Sequence, residues 1–200
     1  MPRLLLATNN AGKVAEFRQL LAGCGWELVT PAELGLTMQV EETGQTYAEN
    51  ATLKAVEYAR AGGLVTLADD SGLEVDAMDG RPGVLSARYA GADRTDQERV
   101  QAMLQELAGV PDDERTARFR CVIAIADTTG RVELVDGTVE GRIGHEPRGE
   151  NGFGYDPIFL LPDRGMTTAE LPPDEKNTIS HRAVAAQKAR TVLERWLRET

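Results

Sequence analysis

The sequence predicts a mixed α/β fold in which helices flank one β-sheet. Three observations support this: a strand–loop–helix unit at the N-terminus, an apolar run that ends at two adjacent aspartates, and a β-hairpin in the second half of the chain. Strand–helix units together with a hairpin indicate a sheet with both parallel and antiparallel strands, rather than a purely parallel, doubly wound sheet.

The first unit begins with a short apolar strand at Arg3–Ala7. A loop, Thr8–Lys13, follows, and Val14–Leu21 then has the apolar spacing of a helix. Backbone N–H groups at a helix start, with a lysine beside them, are suited to binding phosphate. The loop lacks the GxxxxGK[ST] pattern of a Walker A motif. An ordinary loop with an exposed lysine explains the segment equally well.

An acidic loop, Val40–Gln45, precedes the next predicted helix. Thr46 and Glu49 have the spacing of a capping box, and Gly62-Gly63 marks the end of that helix. The box explains Glu49 structurally, so this segment alone does not show whether Glu49 or Glu41 binds a metal.

The aspartate pair follows the apolar run 64–68, which has the character of a buried strand. We expect Asp69 and Asp70 at the carboxyl end of this strand, where ligands bind in open α/β sheets, with Ser71-Gly72 turning the chain. Because side chains alternate along a strand, the two carboxylates should face different ways. Taken alone, the pair also fits a solvated corner.

The middle of the chain supplies the scaffold. The loop Gly80–Gly91 is apolar enough to pack as a flap, and Thr95 and Glu98 form a second capping box before a scaffold helix. The segment 118–126 is the clearest strand, and Thr129-Gly130 turns it into a partner strand, which completes the hairpin.

Two further segments could contact a ligand. Phe153 lies between two glycines and could stack on a planar group, while Asp156, just before a proline-led strand, could accept hydrogen bonds from it. A hairpin corner would also explain that segment. His181 and Arg182 follow the N-cap Ser180 of the last helix, where the helix dipole disfavours cations. This suggests a ligand, although a solvated helix start is the alternative.

Composition restricts the function classes. The 200 residues suffice for one domain or for two lobes that share a sheet, and 42% hydrophobic residues are ordinary for a globular protein. We expect no membrane span and no secretory signal. Cys24 and Cys121 are far apart and do not have the spacing of a metal-binding motif, so we expect reduced thiols in a cytoplasmic protein. The net charge of −10 argues against nucleic acid as a partner. It is compatible with a small anion bound together with a divalent cation.

Six motifs, in this order, together resemble the inosine triphosphate pyrophosphatase family (RdgB type), whose members cleave non-standard purine nucleoside triphosphates. The motifs are Thr8–Lys13, Glu41–Ala51, Ala68–Leu73, Pro82-Gly83 with Ser86–Gly91, Gly152–Pro157 and Ser180–Arg182. The resemblance covers essentially the whole chain. It implies a single domain over residues 1–200, elongated, with two lobes around a central cleft, and usually a homodimer.

The resemblance also implies an activity: Mg²⁺-dependent hydrolysis of dITP, ITP and XTP to the nucleoside monophosphate and pyrophosphate, which removes deaminated purines from the nucleotide pool. It makes Asp70 the general base and a metal ligand, with Glu41 or Glu49 completing the metal site, and it places Ser71 against the nucleotide. The triphosphate would be held by Thr8, Asn9, Asn10, Ala11, Gly12 and Lys13. The base would be held by Phe153, Gly154, Tyr155, Asp156, Lys176, His181 and Arg182.

Elementary chemistry agrees with these implied roles. Hypoxanthine and xanthine carry a 6-oxo acceptor where adenine carries an amino donor, so donors such as Lys176 would select against adenine. Three alternatives stay open: a Maf-like pyrophosphatase that prefers other bases, a nucleotide-binding regulator without turnover, and a hydrolase that releases orthophosphate.

Overall fold

A computed structural model of the chain describes residues 1–199. Its strands are β1 (Arg3–Leu6), β2 (Glu27–Val29), β3 (Val65–Val75), β4 (Thr116–Ala126), β5 (Val132–Ile143), β6 (Phe159–Leu161) and β7 (Met166–Thr167). Its α-helices are α1 (Ala11–Leu20), α2 (Tyr47–Gly62), α3 (Asp96–Glu106), α4 (Pro173–Ile179) and α5 (His181–Glu199).

The strands form a mixed sheet in the order β2-β1-β3-β4-β5-β6-β7. β1 is parallel to β2 and β3, whereas β6 is antiparallel to β5 and β7. β4 and β5 are neighbours, and their connection is held by the Asp127 carboxylate, which accepts hydrogen bonds from the backbone N–H groups of Thr129 (2.8 Å) and Arg131 (3.0 Å). The predicted mixed sheet and its hairpin are therefore confirmed.

The chain divides into two compact units. Unit 1 comprises Met1–Asp70, Cys121–Gly137 and the described part of the C-terminal segment that begins at Arg182, and unit 2 comprises Ser71–Arg120 and Thr138–His181. Each unit has its own apolar core. The core of unit 1 includes Leu4, Leu6, Phe17, Leu67, Ile123, Ile125, Ala189 and Leu193. The core of unit 2 includes Leu73, Val75, Met103, Leu107, Phe119, Ile158 and Phe159.

The strand that carries the aspartate pair is longer than the sequence suggested. β3 does not end at Ala68 but runs on to Val75, so Asp69 and Asp70 lie in the middle of an extended segment and Ser71-Gly72 does not turn the chain. The strand continues because Leu73 and Val75 are buried in the core of unit 2. The expected strand-to-loop corner is thus wrong.

The first helix also differs from its predicted bounds. α1 begins at Ala11 rather than Val14, because the Asn10 side chain accepts a hydrogen bond from the backbone N–H of Lys13 and caps the helix. Ala11, Gly12 and Lys13 therefore form the first helical turn instead of a loop.

The local features predicted at the helix ends are confirmed. Both capping boxes are present, at Thr46/Glu49 and Thr95/Glu98, and Gly63 ends α2 in the left-handed conformation. The apolar stripe of α5, which includes Ala185, Ala189, Val192 and Trp196, is buried. Cys24 and Cys121 are free and buried. Within residues 1–199, no helix has the length and apolar character needed to cross a membrane.

Candidate active site

In unit 1, Asp69 is the acceptor for two buried cations. Its Oδ2 atom lies 2.8 Å from Lys13 Nζ and 3.5 Å from Arg182 Nη2, and the carboxylate is almost fully buried. Burial alone would raise the pKa of Asp69, yet the charges of Lys13, Arg182 and Lys54 hold it well below its ordinary value. Asp69 is therefore an anion that fixes the Lys13 side chain.

Arg182 is buried at the start of α5, with 1% of its surface exposed. It donates a hydrogen bond of 2.6 Å to Glu16 of α1 in addition to its contact with Asp69. The solvated helix start considered for this position is wrong, because carboxylates from α1 and β3 compensate the charge.

Asp70 lies in a different environment from its neighbour. Asn50 Nδ2 donates a 2.9 Å hydrogen bond to Asp70 Oδ2, and burial raises the pKa of Asp70 against the opposing charge of Lys54. The two aspartates thus meet different partners, as strand alternation predicts. A carboxylate with a raised pKa is a better proton acceptor, so Asp70 is the candidate general base.

Lys54 was not identified from the sequence. Its ammonium donates a 2.6 Å hydrogen bond to the backbone oxygen of Asp69 and forms an ion pair with Glu42. Burial lowers the pKa of Lys54, but the charges of Asp69 and Glu42 outweigh it and the net shift is upward. One signal was available, since Asn50 and Lys54 are four residues apart and share a face of α2.

Two glutamates in and just after the acidic loop have structural partners, one in the cap of α2 and the other in an ion pair. Glu49 Oε2 accepts hydrogen bonds from the backbone N–H groups of Gln45 (2.7 Å) and Thr46 (3.1 Å). Glu42 pairs with Lys54, and its charge contributes to the raised pKa of Asp70. The exposed Glu41 side chain forms no hydrogen bond or ion pair with any other described residue.

The segment Thr8–Lys13 is folded by its own side chains. Thr8 Oγ1 accepts a hydrogen bond of 3.1 Å from the N–H of Asn10, and Asn10 Oδ1 accepts one of 3.0 Å from the N–H of Lys13. Asn9, Asn10 and Ala11 are exposed. An exposed, capped helix start with a lysine is compatible with binding an anion.

A Mg²⁺ ion is compatible with this donor set. Among residues 1–199, no group of three or more His, Cys, Asp or Glu side chains is arranged to hold a metal. Mg²⁺ is usually held by one or two carboxylates together with substrate phosphates and water. Asp70 and one carboxylate of the acidic loop would suffice for such a site if a phosphate-containing ligand supplied the remaining oxygen atoms.

In unit 2, Asp156 organises the loop that contains Phe153. Its Oδ2 accepts hydrogen bonds from Phe153 N (2.9 Å) and Lys176 Nζ (2.5 Å), and its Oδ1 accepts one from Thr168 Oγ1 (2.8 Å). These bonds show that Asp156 shapes the loop. Asp156 does not precede a proline-led strand as expected: Asp156–Ile158 is a 3-10 turn and β6 begins at Phe159.

The predicted base-binding residues of the loop are held from several sides. Lys176 Nζ lies 5.2 Å from the centre of the Phe153 ring. Tyr155 donates a hydrogen bond of 2.7 Å to the Ser86 backbone oxygen, and the N–H of Gly154 donates one of 2.7 Å to Asp96. Because Asp96 lies on α3, this helix also helps to hold the Phe153 loop and is not only part of the scaffold.

His181 is buried against the sheet of unit 2. Its ring stacks on that of Phe119, with centroids 4.8 Å apart and 16° between the planes. The solvated helix start is thus wrong for His181 as well. His181 belongs to unit 2 with Phe153, Asp156 and Lys176, whereas Arg182 belongs to unit 1 with Asp69. Contacts to Phe119, Thr168 and Ser86 were not predicted, because they join residues far apart in sequence.

Known proteins resemble this chain over nearly its whole length. A family model, that of the Ham1 family, matches residues 4–192. The chain is 50% identical to a dITP/XTP pyrophosphatase of Bacillus subtilis, over 97% of this chain and 98% of that protein. It is 52% identical to a protein of the same name from Geobacillus kaustophilus, over 94% and 92% of the two chains. A solved Ham1 protein from Coxiella burnetii superposes with a TM-score of 0.88 at 45% identity, over 96% of this chain and 98% of that one.

Proposed function

This chain belongs to the Ham1 family, and we propose on that premise that it hydrolyses dITP, ITP and XTP to the nucleoside monophosphate and pyrophosphate. The observation that carries the proposal is the 50% identity, across nearly the full length of both chains, to a relative named for that activity. The proposed role is to clear deaminated purines from the nucleotide pool.

We assign the triphosphate to unit 1. The segment of Thr8, Asn9, Asn10, Ala11 and Gly12 leads into the start of α1, where helix N–H groups are suited to an anion, and Lys13 adds a positive charge. Ser71, the residue after Asp70 in β3, contacts the nucleotide in this proposal. Hydrolysis of a phosphoanhydride depends mainly on such positioning and on charge neutralisation.

Asp70 is the proposed general base. It takes a proton from a water molecule, and the resulting nucleophile cleaves the anhydride between the α- and β-phosphates, so that pyrophosphate leaves. The raised pKa of Asp70, which its burial causes, supports this role.

We propose Mg²⁺ as the cofactor, held by Asp70 and Glu41. Glu49 is committed to the cap of α2 and Glu42 to Lys54, which makes Glu41 the available carboxylate of the acidic loop. When bound, the ion neutralises phosphate charge and stabilises the leaving pyrophosphate.

Unit 2 supplies the proposed base-binding residues. The Phe153 ring offers a stacking face, held by the Gly154–Asp156 loop, while Lys176 and His181 offer donors to the 6-oxo group. For Arg182, the contacts with Asp69 and Glu16 support a role through Asp69 and Lys13 rather than at the base.

Homodimer formation and a cytoplasmic location complete the proposal. The homodimer follows from the family resemblance, and the cytoplasmic location would suit an enzyme that acts on the free nucleotide pool. Size-exclusion chromatography with light scattering tests the homodimer.

Product analysis tests the proposed activity. The protein is incubated with dITP, with and without Mg²⁺, and the phosphate products are separated. We expect dIMP and pyrophosphate in equal amounts, and only with Mg²⁺. Orthophosphate as the product would indicate a different hydrolase, and nucleotide binding without product would indicate a regulator.

A further inference from the structure

The Asn50 side chain connects two parts of the proposed catalytic site. It lies in the first turn of α2 and is fully buried. Its Nδ2 atom donates a hydrogen bond of 2.9 Å to Asp70 Oδ2, and its Oδ1 atom accepts one of 2.8 Å from the backbone N–H of Gly44. One amide thus joins the acidic loop to the candidate general base.

These two bonds determine which way the amide faces. A backbone N–H can only donate and an ionised carboxylate can only accept, so Oδ1 must face Gly44 and Nδ2 must face Asp70. Gly44 approaches so closely that an added Cβ would lie 2.7 Å from Asn50 Oδ1 and 2.7 Å from Glu49 Cβ. The loop and the amide are therefore fitted to each other at a position where only glycine has room.

Helix capping does not account for a buried asparagine at position 50. The start of α2 is already completed by Thr46, which accepts a hydrogen bond from the N–H of Glu49, and by Glu49, which accepts from the N–H of Thr46. Asn50 also faces the core side of the helix, where its neighbour Ala51 and then Ala55 are buried. A buried amide at such a position is costly unless its hydrogen bonds are made.

We propose that Asn50 is a positioning residue that holds the carboxylate of Asp70 and the acidic loop in one fixed arrangement. The inference rests on the proposed function, because it concerns the residue that we assign as general base. A hydrogen bond from a buried amide restricts rotation of the Asp70 carboxylate, and the Gly44 contact places the backbone three residues from Glu41. Small displacements of such groups cost catalysis about 10²-fold.

The decisive variant is Asn50→Asp. It keeps the size of the side chain and an oxygen acceptor for Gly44, but it replaces the donor to Asp70 with a second carboxylate oxygen. We expect kcat for dITP to fall about 10²-fold while KM changes little, because the Asn50 contacts involve Asp70 and the loop rather than the Thr8–Lys13 segment. Thr46→Ala is the matched control in the same turn, and we expect it to lower thermal stability without lowering kcat.

A second readout does not depend on activity. In ¹⁵N-labelled protein, the Asn50 side-chain NH₂ signal is identified by its loss in Asn50→Asp, or in Asn50→Ser if the first variant does not fold. We expect Asp70→Ala to shift this signal and to speed its exchange with solvent, and Thr46→Ala to leave it unchanged.

The outcomes separate this inference from the proposed function. Pyrophosphate release by the wild-type protein, together with wild-type kcat in Asn50→Asp, overturns the positioning role. An Asn50 amide signal that is insensitive to Asp70→Ala overturns it too. If the wild-type protein releases no pyrophosphate, the proposed function fails, whereas the amide signal still reports on the hydrogen bond.

Discussion

The ammonium group of Lys13 lies 2.8 Å from Oδ2 of Asp69, which joins the first turn of α1 to the middle of β3. A lysine at a helix start opposes the helix dipole, and an anion such as the phosphate considered from the sequence would compensate it. Asp69 already supplies that compensation, and its own charge is balanced further by Arg182. The position of Lys13 therefore has a structural explanation as well as the proposed one in phosphate binding.

We predict that the two adjacent aspartates have separable roles. Asp69→Asn removes the anion between Lys13 and Arg182. Arg182 keeps its ion pair with Glu16, but the mostly buried Lys13 ammonium loses this carboxylate, so the unfolding free energy should fall by up to about 3–5 kcal/mol. Asp70→Asn should nearly abolish pyrophosphate release but leave nucleotide binding intact. Urea unfolding and product release, measured on both variants, check this. Equal stability losses and equal kinetic losses in the two would contradict the division.

The stability contributed by Asp69 should depend on pH in one direction. Because the pKa of Asp69 is lower in the folded protein than in the unfolded chain, its contribution is present above the unfolded value, about 3.9, and is lost as the pH falls toward the folded value. The difference in unfolding free energy between wild type and Asp69→Asn should thus be constant at neutral pH and shrink in acid. A difference that grows in acid would rule out the assigned charge state.

Local chemistry explains why part of the fold was predictable. Both capping boxes, the Gly63 helix end and the β4–β5 hairpin depend on residues within a few positions of one another. Propensity and spacing are informative at that range.

The surroundings of the aspartate pair depend on distant residues. A strand that buries Asp69 needs cations, and one of them, Arg182, is 113 residues away. Because Arg182 cannot be recognised as a partner from the sequence, the sequence predicts that β3 ends before Asp69. The burial of His181 against Phe119 could not be predicted either, because these two residues are also far apart in the sequence.

Glu41 in the acidic loop and Glu49 in the first turn of α2 should respond differently to mutation. Glu41→Gln should raise the Mg²⁺ concentration needed for half-maximal activity and leave stability unchanged, because its side chain is exposed. Glu49→Ala should leave the Mg²⁺ requirement unchanged but lower the unfolding free energy by about 0.5–2 kcal/mol, the usual cost of losing a cap. Mg²⁺ titrations and thermal unfolding distinguish them, and the reverse pattern would assign the metal to Glu49.

Asp156 and Lys176 should be strongly coupled. Both side chains are at least 95% buried, so Asp156→Ala removes the carboxylate that pairs with the buried Lys176 ammonium charge and should destabilise the protein by about 3–5 kcal/mol. Adding Lys176→Met removes that charge, and the double variant should be more stable than Asp156→Ala alone. A double-mutant cycle by urea unfolding measures the coupling. Additive effects would show that the ion pair contributes no coupling energy and contradict the prediction.

The proposed preference for a non-standard purine triphosphate is tested most directly by competition between substrates in one reaction. Equal concentrations of dITP, dGTP and dTTP are mixed with the protein and Mg²⁺, and the monophosphates are separated over time. Relative initial rates then give the ratios of kcat/KM. We predict that dIMP forms at the highest initial rate, and that one pyrophosphate is released for each dIMP formed. Faster formation of dTMP would contradict the assignment and favour a Maf-like pyrophosphatase.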